Sequence, residues 1–466
     1  MIKRFITFSY GSWVTAAISF LSAPIITLLI IPEEFGKSAM FRLVLMSVFQ
    51  LGLLGADQSF LRMYHEKGES EKASFVWLCF FISITATIAI SSCTLFFWQP
   101  VSAALFNEPD FTAMLLLACS IVLFAINNYA LGLIRLSKRG HVLSAGQIAG
   151  AIAYLVTVVF YAKFIASTFH AIIWGIIAHS SVSILIYIFA ERRFWTRKIE
   201  TAIFNRAELK RILSYGLPMV PVLAVMFIFQ GMDKIALRVY SPFEEIGLYA
   251  VASKYVFLLT LLQTGFNIYW APAAFERYEA DRRDYRFFEN MFKYAAVATL
   301  AAGGALLLFK DIIILILAPS YRDAVYIMPF LIIAPIIHIV GDITGIGMGL
   351  KKRTHLYLIV ALAGALVNLV GNFYLVPLLG ARGAAISTGA AFLVYFYLRT
   401  VISGRLFPVK YPIMRFMPAF LVLVAFLGLN TFHDIQWWYN AIPILATMIL
   451  HRSIIIEILK GLKSKD

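Results

Sequence analysis

Lys138-Arg139-Gly140-His141 and Lys352-Arg353-Thr354-His355 are one phrase written twice. In each copy the Gly of an Ala-Gly-Ala triplet follows nine residues after the histidine, as Ala149-Gly150-Ala151 and Ala363-Gly364-Ala365. A shared register of this kind marks an internal duplication. Upstream, Tyr10-Gly11 leads to Pro32-Glu33-Glu34-Phe35-Gly36, and Tyr215-Gly216 leads to Pro242-Phe243-Glu244-Glu245-Ile246-Gly247. One half therefore starts near residue 8 and the other near residue 212. In a chain this apolar, paired halves predict a transporter whose site lies where they face each other.

Composition fixes the solvent. Of 466 residues, 61% are hydrophobic and 14% charged, with a mean hydropathy of +0.83, against roughly 45–50% and 25% in soluble domains. The surrounding medium is lipid. The net charge of +15 suggests nucleic acid only until its carriers are located, because they sit in short loops between apolar runs; no nucleic-acid partner is expected. Cys79, Cys93 and Cys119 lie inside apolar runs without ligand spacing and read as small core residues.

Apolar runs of about 20 residues read as spans. They fall near 12–31, 38–56, 73–97, 111–134, 142–164 and 168–190, and again near 212–237, 246–268, 292–309, 325–350, 356–376 and 384–402. Two more, near 416–432 and 438–456, lie outside the duplication. The expected fold is an all-α polytopic integral membrane protein: two parallel six-helix repeats plus two C-terminal helices, about 14 transmembrane helices in all. The corresponding organisation is an N-terminal lobe 1–190, a basic linker 191–211, a C-terminal lobe 212–402, and a pair of helices with a basic tail at 403–466. Lys310–Pro319 reads as either a lengthening of the ninth helix or a segment along the membrane surface, and Trp98–Pro109 is the similar connector of the first half. The first run carries Lys3-Arg4 like a secretory signal, but it is too long for an h-region and is matched by the helix opening the second half, so it reads as the first span.

Loop charges set the orientation. Lys3, Arg4, Arg62, Lys67, Lys72, Arg135, Lys138, Arg139, the run Arg192–Arg211, Arg277–Arg286, Lys351–Arg353, Arg399–Arg415 and the tail after Arg452 all fall on one side, expected to be cytoplasmic. The opposite loops carry Glu33, Glu34, Glu108, Asp110, Glu244 and Glu245, with few cations. Both termini are then cytoplasmic. Six spans per half make the repeats parallel, with a pseudo-twofold axis along the membrane normal.

No catalytic constellation emerges, so no enzyme activity, cofactor or metal is expected. Gly345-Ile346-Gly347-Met348-Gly349 follows no strand and reads as close helix packing, not a phosphate loop. His179 and His338 read as hydrogen-bonded interior residues. The functional case rests on ionisable residues inside spans, where a charge near the helix centre costs at least about 2.5–3.5 kcal/mol. Arg42 lies six residues beyond Gly36 and Lys254 seven beyond Gly247, so the duplication puts a cation at nearly the same depth in each half, roughly 9–13 Å in at about 1.5 Å per residue. Lys234 and Arg238 share one face of the seventh helix. Asp57 reads as an ion-pair partner of Arg62. Asp233, directed about 100° away from Lys234, and Asp342, deep in the tenth span, are candidates for proton or sodium coupling, weighed against structural pairing.

Tyr10-Gly11, Pro32-Glu33-Glu34-Phe35-Gly36, Leu61-Arg62-Met63-Tyr64, Met232-Asp233-Lys234, Ser241-Pro242-Phe243-Glu244-Glu245-Ile246-Gly247-Leu248-Tyr249 and Ala252-Ser253-Lys254 resemble bacterial polysaccharide and O-antigen flippases of the multidrug/oligosaccharidyl-lipid/polysaccharide (MOP) superfamily. The resemblance covers residues 1–402. It implies translocation, by alternating access, of a polyprenyl-diphosphate-linked oligosaccharide (an O-antigen of lipopolysaccharide, a capsule or an exopolysaccharide repeat unit) to the outer face of the inner membrane, alongside polymerase and chain-length proteins. Arg42, Lys234, Lys254 and Arg238 would bind the diphosphate. Tyr249, Tyr255, Tyr269 and Trp270 are candidates for stacking on sugars, against an interface-belt role. The alternatives are a cation-coupled multidrug exporter of the same fold, which would favour a carboxylate-lined cavity, and a membrane polysaccharide polymerase, which would need a large outer loop.

Overall fold

The computed structural model describes residues 2–199, 205–353 and 355–463. Among these residues it contains helices and turns and no strand. The first half runs α1 (Ile2–Leu29), α2 (Pro32–Gly52), α3 (Ala56–Met63), α4 (Glu71–Phe96), α5 (Trp98–Phe106), α6 (Phe111–Leu136), α7 (Gly140–Phe164), α8 (Phe169–Ala190) and the short α9 (Arg192–Trp195). The second runs α10 (Arg206–Gly216), α11 (Met219–Tyr240), α12 (Phe243–Ala280), α13 (Tyr285–Leu308), α14 (Lys310–Leu315), α15 (Ala324–Leu331), α16 (Ile333–Thr344), α17 (Ile346–Leu350) and α18 (His355–Leu406). α19 (Ile413–Phe432), α20 (Ile442–Leu450) and α21 (Arg452–Lys463) close the chain. Two compact units divide within α11, at Met1–Gly231 and Met232–Asp466.

Nine described helices are long and apolar enough to cross a membrane, and α2 with α3 makes a tenth, bent by 60°. The bend has a local cause: Leu54 and Gly55 both adopt positive φ, 51° and 68°. α18 counts as two spans, because Gly380 (φ 55°, ψ −133°) reverses the chain inside it. With Trp13–Leu29, Trp437–Leu450 and α11, the spans number fourteen and match the runs read from sequence. One boundary differs. The run near 212–237 merges two elements, because Pro218 cannot donate to a helix ladder and separates α10 from α11.

α10 is amphipathic and lies against α3: Lys67 pairs with Glu208 at 2.8 Å and Arg211 with Glu66 at 2.7 Å, while the Ser59 hydroxyl donates to the Ile212 carbonyl at 2.8 Å. A Cβ on Gly55 would lie 2.2 Å from the Gly216 carbonyl oxygen, so this seam accepts only glycine.

The duplicated phrases fold alike. Lys138 and Lys352 both sit at φ 56°. Arg139 N–H bonds Ile134 O and Lys138 N–H bonds Arg135 O, as Arg353 N–H bonds Met348 O and Lys352 N–H bonds Gly349 O. Each half therefore ends its fourth span in the same Schellman turn, with a lysine where glycine is usual. At the other end, the Glu34 carboxylate accepts the N–H of Phe169, first residue of α8, at 2.7 Å, and Glu245 accepts the N–H of Ala381 at 2.7 Å. Each acid lies two residues before the glycine of its motif and satisfies a helix-start N–H that has no partner within its own helix. The third span of each half is likewise followed by a short helix, α5 and α14, as the matched connectors implied.

Candidate functional site

The buried carboxylate of Asp233, on α11, is held by neutral donors. Its Oδ1 accepts Asn372 Nδ2 at 2.8 Å and Asn368 Nδ2 at 3.1 Å; its Oδ2 accepts the Thr388 hydroxyl at 2.6 Å and the Tyr249 phenol. Asn368 and Asn372 are four residues apart and stack on one face of the first part of α18. Thr388 comes from the part after Gly380, Tyr249 from α12. No cation reaches salt-bridge distance of Asp233 among the described residues, as its angle from Lys234 implied. The carboxylate is thus held by four neutral hydrogen-bond donors.

Asp342, on α16, is held differently. Its Oδ1 meets Arg399 Nη1 at 2.6 Å and its Oδ2 meets His338 Nδ1 at 3.1 Å. Arg399 also donates to the Tyr395 hydroxyl at 2.6 Å and stacks on the rings of Tyr395 and Tyr357, at 5.4 and 5.1 Å. Sequence reading grouped Arg399 with the cytoplasmic loop cations; it is 7% exposed and lies inside α18. Its room comes from Gly345, where a Cβ would fall 2.1 Å from Arg399 Nε. Gly347 N–H bonds the Ser403 hydroxyl at 3.0 Å, so the glycine-rich stretch serves close packing as expected.

Asp57 does not pair with Arg62. Gln58 Nε2 bonds Asp57 at 2.8 Å, and Arg62 reaches Glu66 at 3.0 Å, one helical turn on. Of the aromatic residues considered for sugar stacking, Tyr249 holds Asp233, Tyr255 is buried, and Trp270 is buried with its indole N–H on the Asp342 carbonyl at 3.1 Å. These three are buried, whereas Tyr269 is exposed.

Arg42 is exposed on α2, ten residues from either end. No carboxylate lies within salt-bridge distance of it among the described residues, and its charge is felt by Tyr154 on α7 and His179 on α8. In the other unit, Lys234 is half-buried on α11 and Lys254 half-buried on α12. Arg238, also half-buried, lies over the Phe243 ring at 4.9 Å. The described residues hold no group of three or more His, Cys, Asp or Glu side chains able to bind a metal. Sequence reading missed Asn368, Asn372, Thr388 and Arg399. The signal for the first two was present, since asparagines four apart inside a span form a polar stripe.

The family model described as "Polysaccharide biosynthesis protein" matches residues 2–276. Among solved structures, an inward closed conformation of the lipid II flippase MurJ is similar with a TM-score of 0.73 at 17% identity, covering 98% of this chain and 99% of that one. An inward-facing multidrug resistance MATE family transporter of the MOP superfamily gives 0.63 at 16% identity, covering 88% and 98%. An outward-facing conformation of such a transporter gives 0.54 at 15% identity, covering 88% and 96%. No curated protein sequence matches. With more than half its length inside the family model, the chain belongs to the polysaccharide biosynthesis protein family, and it shares its fold with these transporters.

Proposed function

We propose that the protein is a flippase. It carries a polyprenyl-diphosphate-linked oligosaccharide, the repeat unit of an O-antigen, capsule or exopolysaccharide, from the cytoplasmic to the outer leaflet of the inner membrane by alternating access. The observation that carries this reading is Arg42, a guanidinium at the midpoint of a spanning helix with no carboxylate partner among the described residues. Facing hydrocarbon it would cost several kcal/mol, so it faces a water-filled route and favours an anion there. Lys254, Lys234 and Arg238 are further cations on the spans of the second unit. A sugar diphosphate cannot cross about 30 Å of hydrocarbon unaided, whereas its lipid tail can remain in the bilayer. A cationic drug would be repelled by the same charges, which disfavours the exporter reading. Polymerase and chain-length proteins would take the delivered unit onward.

Transport is coupled, on this reading, at Asp233. The Asn372 Oδ1 atom is buried without a partner. Turning the Asn368 and Asn372 amides would present oxygens beside the carboxylate and the Thr388 hydroxyl, a set suited to sodium, while protonation of Asp233 would serve a proton-driven cycle. The test is a proteoliposome assay with a fluorescent polyprenyl-diphosphate oligosaccharide. Arg42→Gln and Lys254→Gln should each slow translocation at least tenfold with normal membrane insertion, and Arg42→Lys should retain more activity than Arg42→Gln. Full activity of the double glutamine variant would overturn the reading.

A further inference from the structure

A pocket of about 310 Å³ opens within the second unit, between α12, α15, α16 and the second part of α18. Its wall includes Ser253, Thr260 and Gln263 on one stripe of α12, His338 on α16, and the rings of Phe257 and Phe392. Apart from the imidazole, no ionisable side chain lines it. Such a wall is unusual inside a spanning bundle, where an unpartnered polar side chain has a cost and marks a polar route or ligand. The Thr260 hydroxyl and the Gln263 amide bond no other described residue, while Ser253 donates to the Tyr249 carbonyl at 2.8 Å and keeps its lone pairs.

His338 is fixed for a role here. The ion pair with Arg399 anchors Asp342, and a carboxylate only accepts, so the imidazole Nδ1 facing Asp342 carries a proton. Nε2 is then the nitrogen left to hydrogen-bond a ligand. The pocket equals about ten water volumes at roughly 30 Å³ each, room enough for one sugar ring.

We propose that this pocket is a carbohydrate subsite, taking one neutral pyranose ring whose hydroxyls bond Gln263, Thr260 and His338 and whose apolar face lies on Phe257 and Phe392. The source of the sugar rests on the flippase reading, but the recognition chemistry does not. An anionic diphosphate finds no cation in this wall, and a cationic drug finds no carboxylate.

The experiment uses the full chain in nanodiscs and saturation-transfer NMR with methyl glycosides of glucose, galactose and N-acetylglucosamine as probes. At least one should receive saturation at its ring protons. Gln263→Leu should weaken that binding at least about fivefold, the worth of one lost hydrogen bond, and Thr260→Trp, which fills the space, should abolish it. Gly404→Ala, which does not line the pocket and has open space around it, should leave it unchanged. Elution profile and melting temperature verify that each variant is folded; if Gln263→Leu is not, Thr260→Trp decides alone. No transfer to any glycoside from the folded parent, or transfer that survives Thr260→Trp, overturns the proposal. Glycoside binding that stands while lipid-linked oligosaccharide is not translocated would overturn the flippase reading and leave the subsite.

Discussion

Removing the charge of Asp342 should destabilise the protein without uncoupling it. Asn is nearly isosteric, so Asp342→Asn leaves the packing of α16 intact and orphans the Arg399 guanidinium, which is 7% exposed and stacked between Tyr357 and Tyr395. Two unit charges about 4 Å apart interact by about 4 kcal/mol at an effective dielectric of 20, and breaking one side of a buried pair costs about 3–5 kcal/mol. Part of the loss is recovered because Tyr395 and the two rings still solvate the cation, so we expect about 3 kcal/mol. Replacing Arg399 with Met in the Asp342→Asn background should then cost less than about 1 kcal/mol, because it removes the orphan charge. Equilibrium unfolding in mixed micelles gives the full double-mutant cycle. Single costs that add to within about 0.5 kcal/mol would refute the pairing argument. In proteoliposomes, folded Asp342→Asn should still respond to an ion gradient; loss of that response at unchanged stability would assign coupling to Asp342.

Asp233→Asn should retain the fold, since its partners are neutral, and abolish the dependence of transport on proton or sodium gradients; an unchanged gradient response would exclude Asp233 as the coupling residue. Gly345→Ala should cost about 1–3 kcal/mol by overpacking, because its Cβ meets a pinned guanidinium, while Gly404→Ala, with open space around it, should not destabilise; equal melting temperatures would contradict the packing argument. Lys138→Gly and Lys352→Gly should each stabilise by up to about 1–2 kcal/mol, the left-handed penalty of a residue with a Cβ, read by the same unfolding titration. For topology, alkaline phosphatase fused after residue 434 should be active and after residue 407 inactive, and the reverse would invert the last two helices.

Much of the fold was legible because lipid enforces simple rules. Span lengths follow from bilayer thickness, and the duplication checks each span against its twin. Gly36 and Gly247, by their matched motifs alone, mark two equivalent helices. The site was less legible, for identifiable reasons. Arg399 sits close to a run of loop cations and was counted with them, although it pairs with a residue 57 positions earlier across two helices. Asn368 and Asn372 carry no charge and so escaped a search for ionisable groups, yet they hold the charge that search found. Tyr249 and Trp270 have the composition of a sugar platform, and only the direction of their polar atoms assigns them to Asp233 and to the Asp342 carbonyl. Sequence gives the depth of a side chain in the membrane; its partner depends on rotation about the helix axis.

The paired acids Glu34 and Glu245 bear on how the chain arose. Each contacts a helix start within its own half, so this clasp needs nothing from the other copy and could already have served a six-helix ancestor before gene fusion. The copies have since diverged. Glu34 now joins Glu108 and the buried Lys37, Lys37 lying 3.0 Å from each acid, whereas Glu245 closes on the tight reversal at Gly380. Splitting the gene between the halves and expressing the two pieces together is therefore a practical route to reassembling the protein from separately labelled parts.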